Sequence, residues 1–143
     1  MDQGATQALP IIQVANRLQS GLVEVVIKRH ISDRTDWRKM LKSEAEPLPL
    51  KLLRDELLET CAAEIDVIKQ QQGDDAIQFV DEPVVEISYP VSEYPEKVKS
   101  LNFDKQPEIE GTLMGIKGQY LILDTGVLNI RKFSGYNIAV DFV

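Results

Sequence analysis

The apolar positions change rhythm near the middle of the chain. Up to about residue 76 they recur at helical spacing, and beyond it they come in short runs divided by turn residues. The opening run, Leu9-Pro10-Ile11-Ile12-Gln13-Val14-Ala15, reads as a short buried strand over 9–15, with Pro10 tolerated at its start. Asn16 then opens a helix whose stripe is Leu18, Leu22, Val25 and Val26, with Ile31 at its edge. Glu24 and Lys28 lie off that stripe, four apart, which predicts an exposed ion pair. Ser32-Asp33 stops this helix, and Asp33 or Thr35 caps the next, which carries Trp37, Met40 and Leu41 toward the core. Glu46-Pro47-Leu48-Pro49 breaks the chain. The longest helix follows from Leu50 to Gln72. Its stripe is Leu50, Leu53, Leu57, Cys61, Ile65 and Ile68, widened by Leu58 and Ala62.

The second half reads as strands. Residues 77–80 and 84–89 are rich in β-branched and aromatic side chains, and a loop with Pro90, Pro95 and Pro107 follows. Further strands are predicted over 112–116, 119–123, 127–131 and 136–142. Lys117-Gly118, Asp124-Thr125-Gly126 and Ser134-Gly135 supply the turns between them. Four short strands at this spacing make an antiparallel meander or a small barrel. The expected fold class is α+β, with a strand-plus-helices region over 1–76 and an antiparallel β-rich region over 77–143.

Composition narrows the class. The chain has 143 residues and is 43 % hydrophobic, too apolar for a disordered segment. Cys61 is the one cysteine and His30 the one histidine, which excludes an internal disulfide and a Cys/His zinc site. Cys61 sits inside a helical stripe, where an inert buried thiol is expected. No apolar run reaches the ~20 residues of a membrane span. Met1-Asp2-Gln3-Gly4 lacks the basic and apolar regions of a secretory signal, so a reducing, cytoplasmic setting is expected.

Charge adds one local feature. The net charge is −7, which disfavours attraction of nucleic acid to the whole surface. Yet Lys28, Arg29, Arg34, Arg38, Lys39 and Lys42 fall close together, opposed only by Asp33 and Asp36. They make either a solvated helix face or a phosphate-contacting one. Lys117, Arg131 and Lys132, with Tyr120, Phe133 and Tyr136, place basic and aromatic groups near one sheet edge. That mixture suits single-stranded nucleic acid and is also compatible with an ordinary small barrel.

Catalytic patterns are absent. There is no Gly-x-Ser-x-Gly elbow and no phosphate-binding loop, and Gly111, Gly115 and Gly118 miss the dinucleotide spacing. The carboxylate pairs Glu108/Glu110, on one strand face, and Asp81/Glu82 read as solvated charges, and Asp74/Asp75 as a polar loop.

A resemblance sharpens the picture. The string Gly111-x-Leu113-x-Gly115-Ile116-Lys117-Gly118-Gln119-Tyr120-Leu121 is followed by Val127-Leu128-Asn129-Ile130-Arg131-Lys132-x-x-Gly135-Tyr136. Together with Ser20-Gly21-Leu22-Val23-Glu24-Val25 and the run from Ser32 through Asp36-Trp37-Arg38-Lys39-Met40-Leu41-Lys42, these resemble the bacterial domain-of-unknown-function family 2797. The resemblance implies that the chain corresponds to the C-terminal portion of longer members. It also implies a distant similarity to the GIY-YIG nucleases, with strand 9–15 as that fold's third strand. The helix over 17–31 then corresponds to the one bearing the metal-binding glutamate, which implies no cofactor in this chain and Mg²⁺ or Mn²⁺ at Glu24 in a longer form. The hairpin tyrosines and catalytic arginine of that superfamily have no counterpart here, so the expected half is incomplete and no catalytic residue is assigned.

Three functions follow as expectations. The first is a catalytically incomplete nucleic-acid-associated module. The second is a protein-interaction module, with a partner or a second copy at the edge of strand 9–15. The third is a metal-dependent nuclease through Glu24, if the chain is a fragment of a longer protein. A membrane partner is not expected.

Overall fold

The computed structural model describes residues 3–32 and 34–142. The elements in chain order are β1 (Gln7–Ala8), β2 (Ile12–Val14), α1 (Arg17–Ile27), α2 (Trp37–Leu41), α3 (Leu50–Gln72), β3 (Ile77–Phe79), β4 (Val85–Glu86), β5 (Leu113–Lys117), β6 (Tyr120–Leu123) and β7 (Gly126–Asn129). Helices with small antiparallel sheets make an α+β fold, as the sequence predicts. The chain divides into two compact units. A helical unit holds Thr6–Arg34 and Glu46–Ile87, and a sheet unit holds Met1–Ala5, Thr35–Ala45 and Ser88–Val143. The chain therefore does not divide at residue 76. β3 and β4, which lie beyond that point, pair with β2 and β1, and α2, which lies before it, packs on the sheet β5–β7.

In the helical unit Pro10 interrupts the strand expected over 9–15. It offers no N–H to a ladder, and two short strands, β1 and β2, lie on either side of it. β1 pairs antiparallel with β4, and β2 with β3. Asn16 begins α1 as predicted. Its side chain accepts from Gln19 N at 3.1 Å, and Gln19 Oε1 accepts from Asn16 N at 3.2 Å and Ala15 N at 2.9 Å. Holding Gln19 against the chain sets the phase of the helix. Gln19, Val23 and Val26 are buried, whereas Leu18 and Val25, expected in the stripe, are exposed.

α1 also stops earlier than residue 31. Beyond Ile27 the backbone tightens, Arg29 N donating to Val26 O and His30 N to Ile27 O. α3 runs over the predicted span, but its stripe is buried only toward the C-terminal end. Cys61, Ile65 and Ile68 pack with Val23, Val26, Ala76 and Ile77, while Leu53 and Ala62 are exposed. Arg54 on α3 donates to Asp81 at 2.8 Å and Asp55 at 2.9 Å, tying the helix to the segment after β3. This guanidinium holds the Asp81 carboxyl below the usual carboxylate range.

The sheet unit is built on the meander β5-β6-β7. Gly118, at φ +58°, lets Lys117 and Tyr120 face each other across a two-residue turn. One sheet face carries Tyr120, Ile122 and Val127, which pack on Met40 and Leu41 of α2. The other carries Leu121, Leu123 and Leu128, which pack with Leu101 and Phe133. Gly126 is required where β7 begins: its φ is +153°, and a Cβ would lie 2.6 Å from Lys99 O.

The fourth expected strand, over 136–142, does not form among the described residues, and no barrel closes. The cause lies in Asn129. Its side chain accepts from Arg131 N at 3.1 Å and Lys132 N at 3.2 Å, which turns the chain from β7 into a 3₁₀ helix, Ile130–Phe133. Tyr136 N then donates to Phe133 O at 3.0 Å, so Ser134-Gly135 completes this turn instead of making a hairpin. Glu108 and Glu110 likewise lie on irregular chain, not on a strand.

Candidate functional site

α2 has only five residues and is held at both ends. The Asp36 side chain accepts from Arg38 N and Lys39 N, each at 3.2 Å. Asp36 is thus the cap, in place of Thr35, whose hydroxyl donates to Gln3 Oε1 at 2.8 Å; Asp33 lies outside the described residues. At the other end Ser43 adopts φ +58°, with Ser43 N bonded to Met40 O at 3.2 Å and Glu44 N to Lys39 O at 3.0 Å. These are the paired bonds of a Schellman ending. Fixed in this way, α2 presents Arg38 and Lys39 to solvent and leaves Lys42 half-buried, 3.4 Å from Glu44. Trp37 stacks on Tyr120 with ring centroids 6.0 Å apart and planes 4° from parallel. The Arg38 guanidinium sits 4.3 Å from the Trp37 ring centre.

Tyr120 also connects to the second basic element. Its register partner on β7 is Asn129, the residue that caps the 3₁₀ helix carrying Arg131 and Lys132. Both cations are exposed. The fold thus sets Arg38, Lys39 and Lys42 on one element next to Tyr120, and Arg131 and Lys132 on another.

Lys117 corrects the sequence reading. It is 1 % exposed and lies inside the sheet unit, away from any surface that could meet phosphate. Its Nζ donates to Met40 O at 2.9 Å and lies 5.0 Å from the Tyr94 ring centre and 5.6 Å from that of Tyr89. Burial, and secondly the neighbouring Tyr94, pushes the Tyr89 phenol above the usual tyrosine range. Nothing local in the sequence marks Lys117 as interior except its place opposite Tyr120 across the turn.

Beyond the 3₁₀ helix lies an aromatic and ionic cluster. Phe133 meets Phe103 edge to face at 5.0 Å and Tyr136 at 5.2 Å. The Tyr136 hydroxyl donates to Asp104, and Lys132 Nζ lies 4.0 Å from the other oxygen of that carboxylate. This bond to Asp104 is the main cause that raises the Tyr136 phenol above its ordinary range. Sequence reading named Lys132, Phe133 and Tyr136 but not Asp104, which lies far away along the chain.

The other expected cations fall elsewhere. Lys28, Arg29 and Arg34 belong to the helical unit, so the basic run is divided between the two units. Arg29 pairs with Glu64 of α3, and His30 Nε2 lies 3.7 Å from the same carboxylate. Glu24 is exposed on α1. Among the described residues no three His, Cys, Asp or Glu side chains come together, at Glu24 or elsewhere. Glu108, Glu110 and Asp124 line a surface groove of about 700 Å³ together with Lys99 and Thr125. In that groove Asp124 accepts from Thr112 N at 2.9 Å, and Thr125 donates to Glu110 O at 3.0 Å.

No helix among the described residues is long and apolar enough to cross a membrane. Comparison with the curated proteins finds no match, and comparison with the solved structures finds none either. One family model, described as a protein of unknown function (DUF2797), matches residues 1–138. The strings around Trp37, Lys117 and Arg131 fall within that match, and the chain belongs to this family.

Proposed function

We propose that the chain is a catalytically incomplete nucleic-acid-associated module that contacts phosphates through its sheet unit. Arg38, Lys39 and Lys42 of α2 and Arg131 and Lys132 of the 3₁₀ helix are the contacting residues. The observation that supports this reading is their common attachment to Tyr120, by Trp37 stacking on one side and by Asn129 on the other. Lys117 supplies no contact, because it is buried. A reducing cytoplasmic compartment suits the free, buried Cys61, whose thiol burial pushes above the ordinary range.

Fluorescence anisotropy with a labelled oligonucleotide tests the reading. Each lost phosphate contact flattens the slope of log K against log salt by roughly 0.7–0.9. Replacing the five cations with alanine abolishes binding at moderate salt. Equal affinity for that variant and the parent chain would overturn the proposal.

A second reading has its own observation. β2 pairs with β3 alone among the described residues, which leaves the other edge of the expected strand 9–15 without a strand partner. A protein partner or a second copy would add there. Light scattering that finds a monomer at every concentration removes the second copy from this reading.

A further inference from the structure

Phosphate contacts alone do not distinguish duplex from single strand; exposed aromatic rings do. Four rings accompany the exposed basic residues of the sheet unit, and the structure sorts them: Trp37 is half-buried, stacked on Tyr120 with the Arg38 guanidinium 4.3 Å from its centre. Tyr120 is 9 % exposed and Phe133 2 %, both packed within the apolar clusters on the two sheet faces. Tyr136 is 51 % exposed. Building on the function proposed above, we infer that the ligand is single-stranded nucleic acid and that one of its bases stacks on Tyr136.

The ring is held ready for this role. Its hydroxyl donates to Asp104, its edge-to-face contact with Phe133 is fixed at 79°, and its backbone N–H is bonded to Phe133 O. A ring already ordered by two side-chain contacts, on a backbone that is itself bonded, loses little rotamer entropy when a base settles on it. Arg131 and Lys132 precede it in the same turn, so phosphate and base contacts come from one short segment. Asp104, the nearby carboxylate, is engaged by both Tyr136 and Lys132.

Duplex fits the same face poorly. Paired bases have both faces covered by their neighbours, whereas unpaired bases can be splayed onto a side chain. The basic helix α2 spans five residues, about 7.5 Å at 1.5 Å per residue, too short to lie along a major groove as a reading helix.

The test compares oligo(dT) with oligo(dT)·oligo(dA) on the whole chain and on two variants. Tyr136→Leu keeps apolar packing on Phe133 and removes the stacking ring; Tyr136→Phe keeps the ring and removes the bond to Asp104. The expected result is a roughly tenfold or larger loss of oligo(dT) affinity for Tyr136→Leu with an unchanged salt slope. Tyr136→Phe stays close to the parent, and duplex binding does not respond to either change. Irradiation of oligo(dT) carrying 5-bromouracil gives a crosslink that peptide mass spectrometry maps to Tyr136. Parent-like oligo(dT) affinity for Tyr136→Leu, an equal loss on duplex, or a crosslink mapping elsewhere would each overturn the inference. If the cation variants lose binding while Tyr136→Leu does not, only the stacking inference falls. If the cation variants bind normally, the function proposed above falls with it.

Discussion

The two units use charge in different ways. In the helical unit the cations at the packing surfaces mostly meet carboxylates: Arg29 binds Glu64, and Arg54 binds Asp81 and Asp55, while Lys69 lies over Phe79. Its core is one apolar cluster between α1, α3 and the β2–β3 pair. In the sheet unit rings take a larger part: Arg38 lies over Trp37 and Lys117 beside Tyr94, while Lys132 lies over Phe133 and 4.0 Å from Asp104, and Lys42 lies 3.4 Å from Glu44. The sheet buries both faces, and it admits one lysine to its interior. A cation paired with a carboxylate shares its field with that partner, whereas Arg38, exposed and resting on a ring, keeps its charge for an anionic ligand. The basic residues look alike in sequence; their neighbours give them different chemistry.

The sharpest test of this contrast is Lys117. Replacing it with alanine removes a buried stem and a charged hydrogen bond, at a cost of about 3–5 kcal/mol by denaturant unfolding. Lys117→Met fills the same space and loses less than about 1.5 kcal/mol relative to the parent. A neutral Lys117→Ala would break the account of the sheet unit's interior. Next in size is Ile65, fully buried in the helical unit, where alanine costs about 2–4 kcal/mol. Alanine at Leu52, exposed on the same helix, shifts stability by less than about 1 kcal/mol.

Ser43→Gly goes the other way. Ser43 holds a left-handed conformation at the end of α2, and glycine there stabilises by about 1 kcal/mol, seen as a higher Tm. The smallest effect is in titration. The Tyr136 phenol, raised by its bond to Asp104, contributes stability that is present below the ordinary tyrosine range and is lost as pH rises through the folded-state value. Absorbance at alkaline pH reads two late-titrating tyrosines, Tyr89 and Tyr136, and Asp104→Asn shifts only Tyr136 back toward the ordinary range.

Local signals in the sequence carried far. Asn16 marked the start of α1, Pro49 and Gly73 bracketed α3, and Gly118 and Asp124-Thr125 marked the two hairpin turns of the meander. What failed depended on distant partners. The phase of α1 was set by a buried glutamine, a residue that apolar periodicity does not count. The pairing of β2 with β3 crosses the whole of α1 and α3, beyond the reach of any local pattern. The run over 136–142 alternates like a strand, yet Asn129 diverts the chain before it. For the site, the sequence supplied the right residue types around Arg131 and Tyr136. It placed Lys117 on the surface because a lysine beside a turn is usually solvated, and only the rings of Tyr89 and Tyr94 and the Met40 carbonyl show where it sits.

The central claim is that the basic residues of the sheet unit meet nucleic acid and those of the helical unit do not. A salt titration of oligo(dT) binding tests it with two triple variants, Arg38, Lys39 and Lys42 to alanine against Lys28, Arg29 and Arg34 to alanine. The first variant is expected to bind weakly with a slope flattened by roughly two units, and the second to match the parent chain. Equal losses in both variants, or none in the first, would contradict the account.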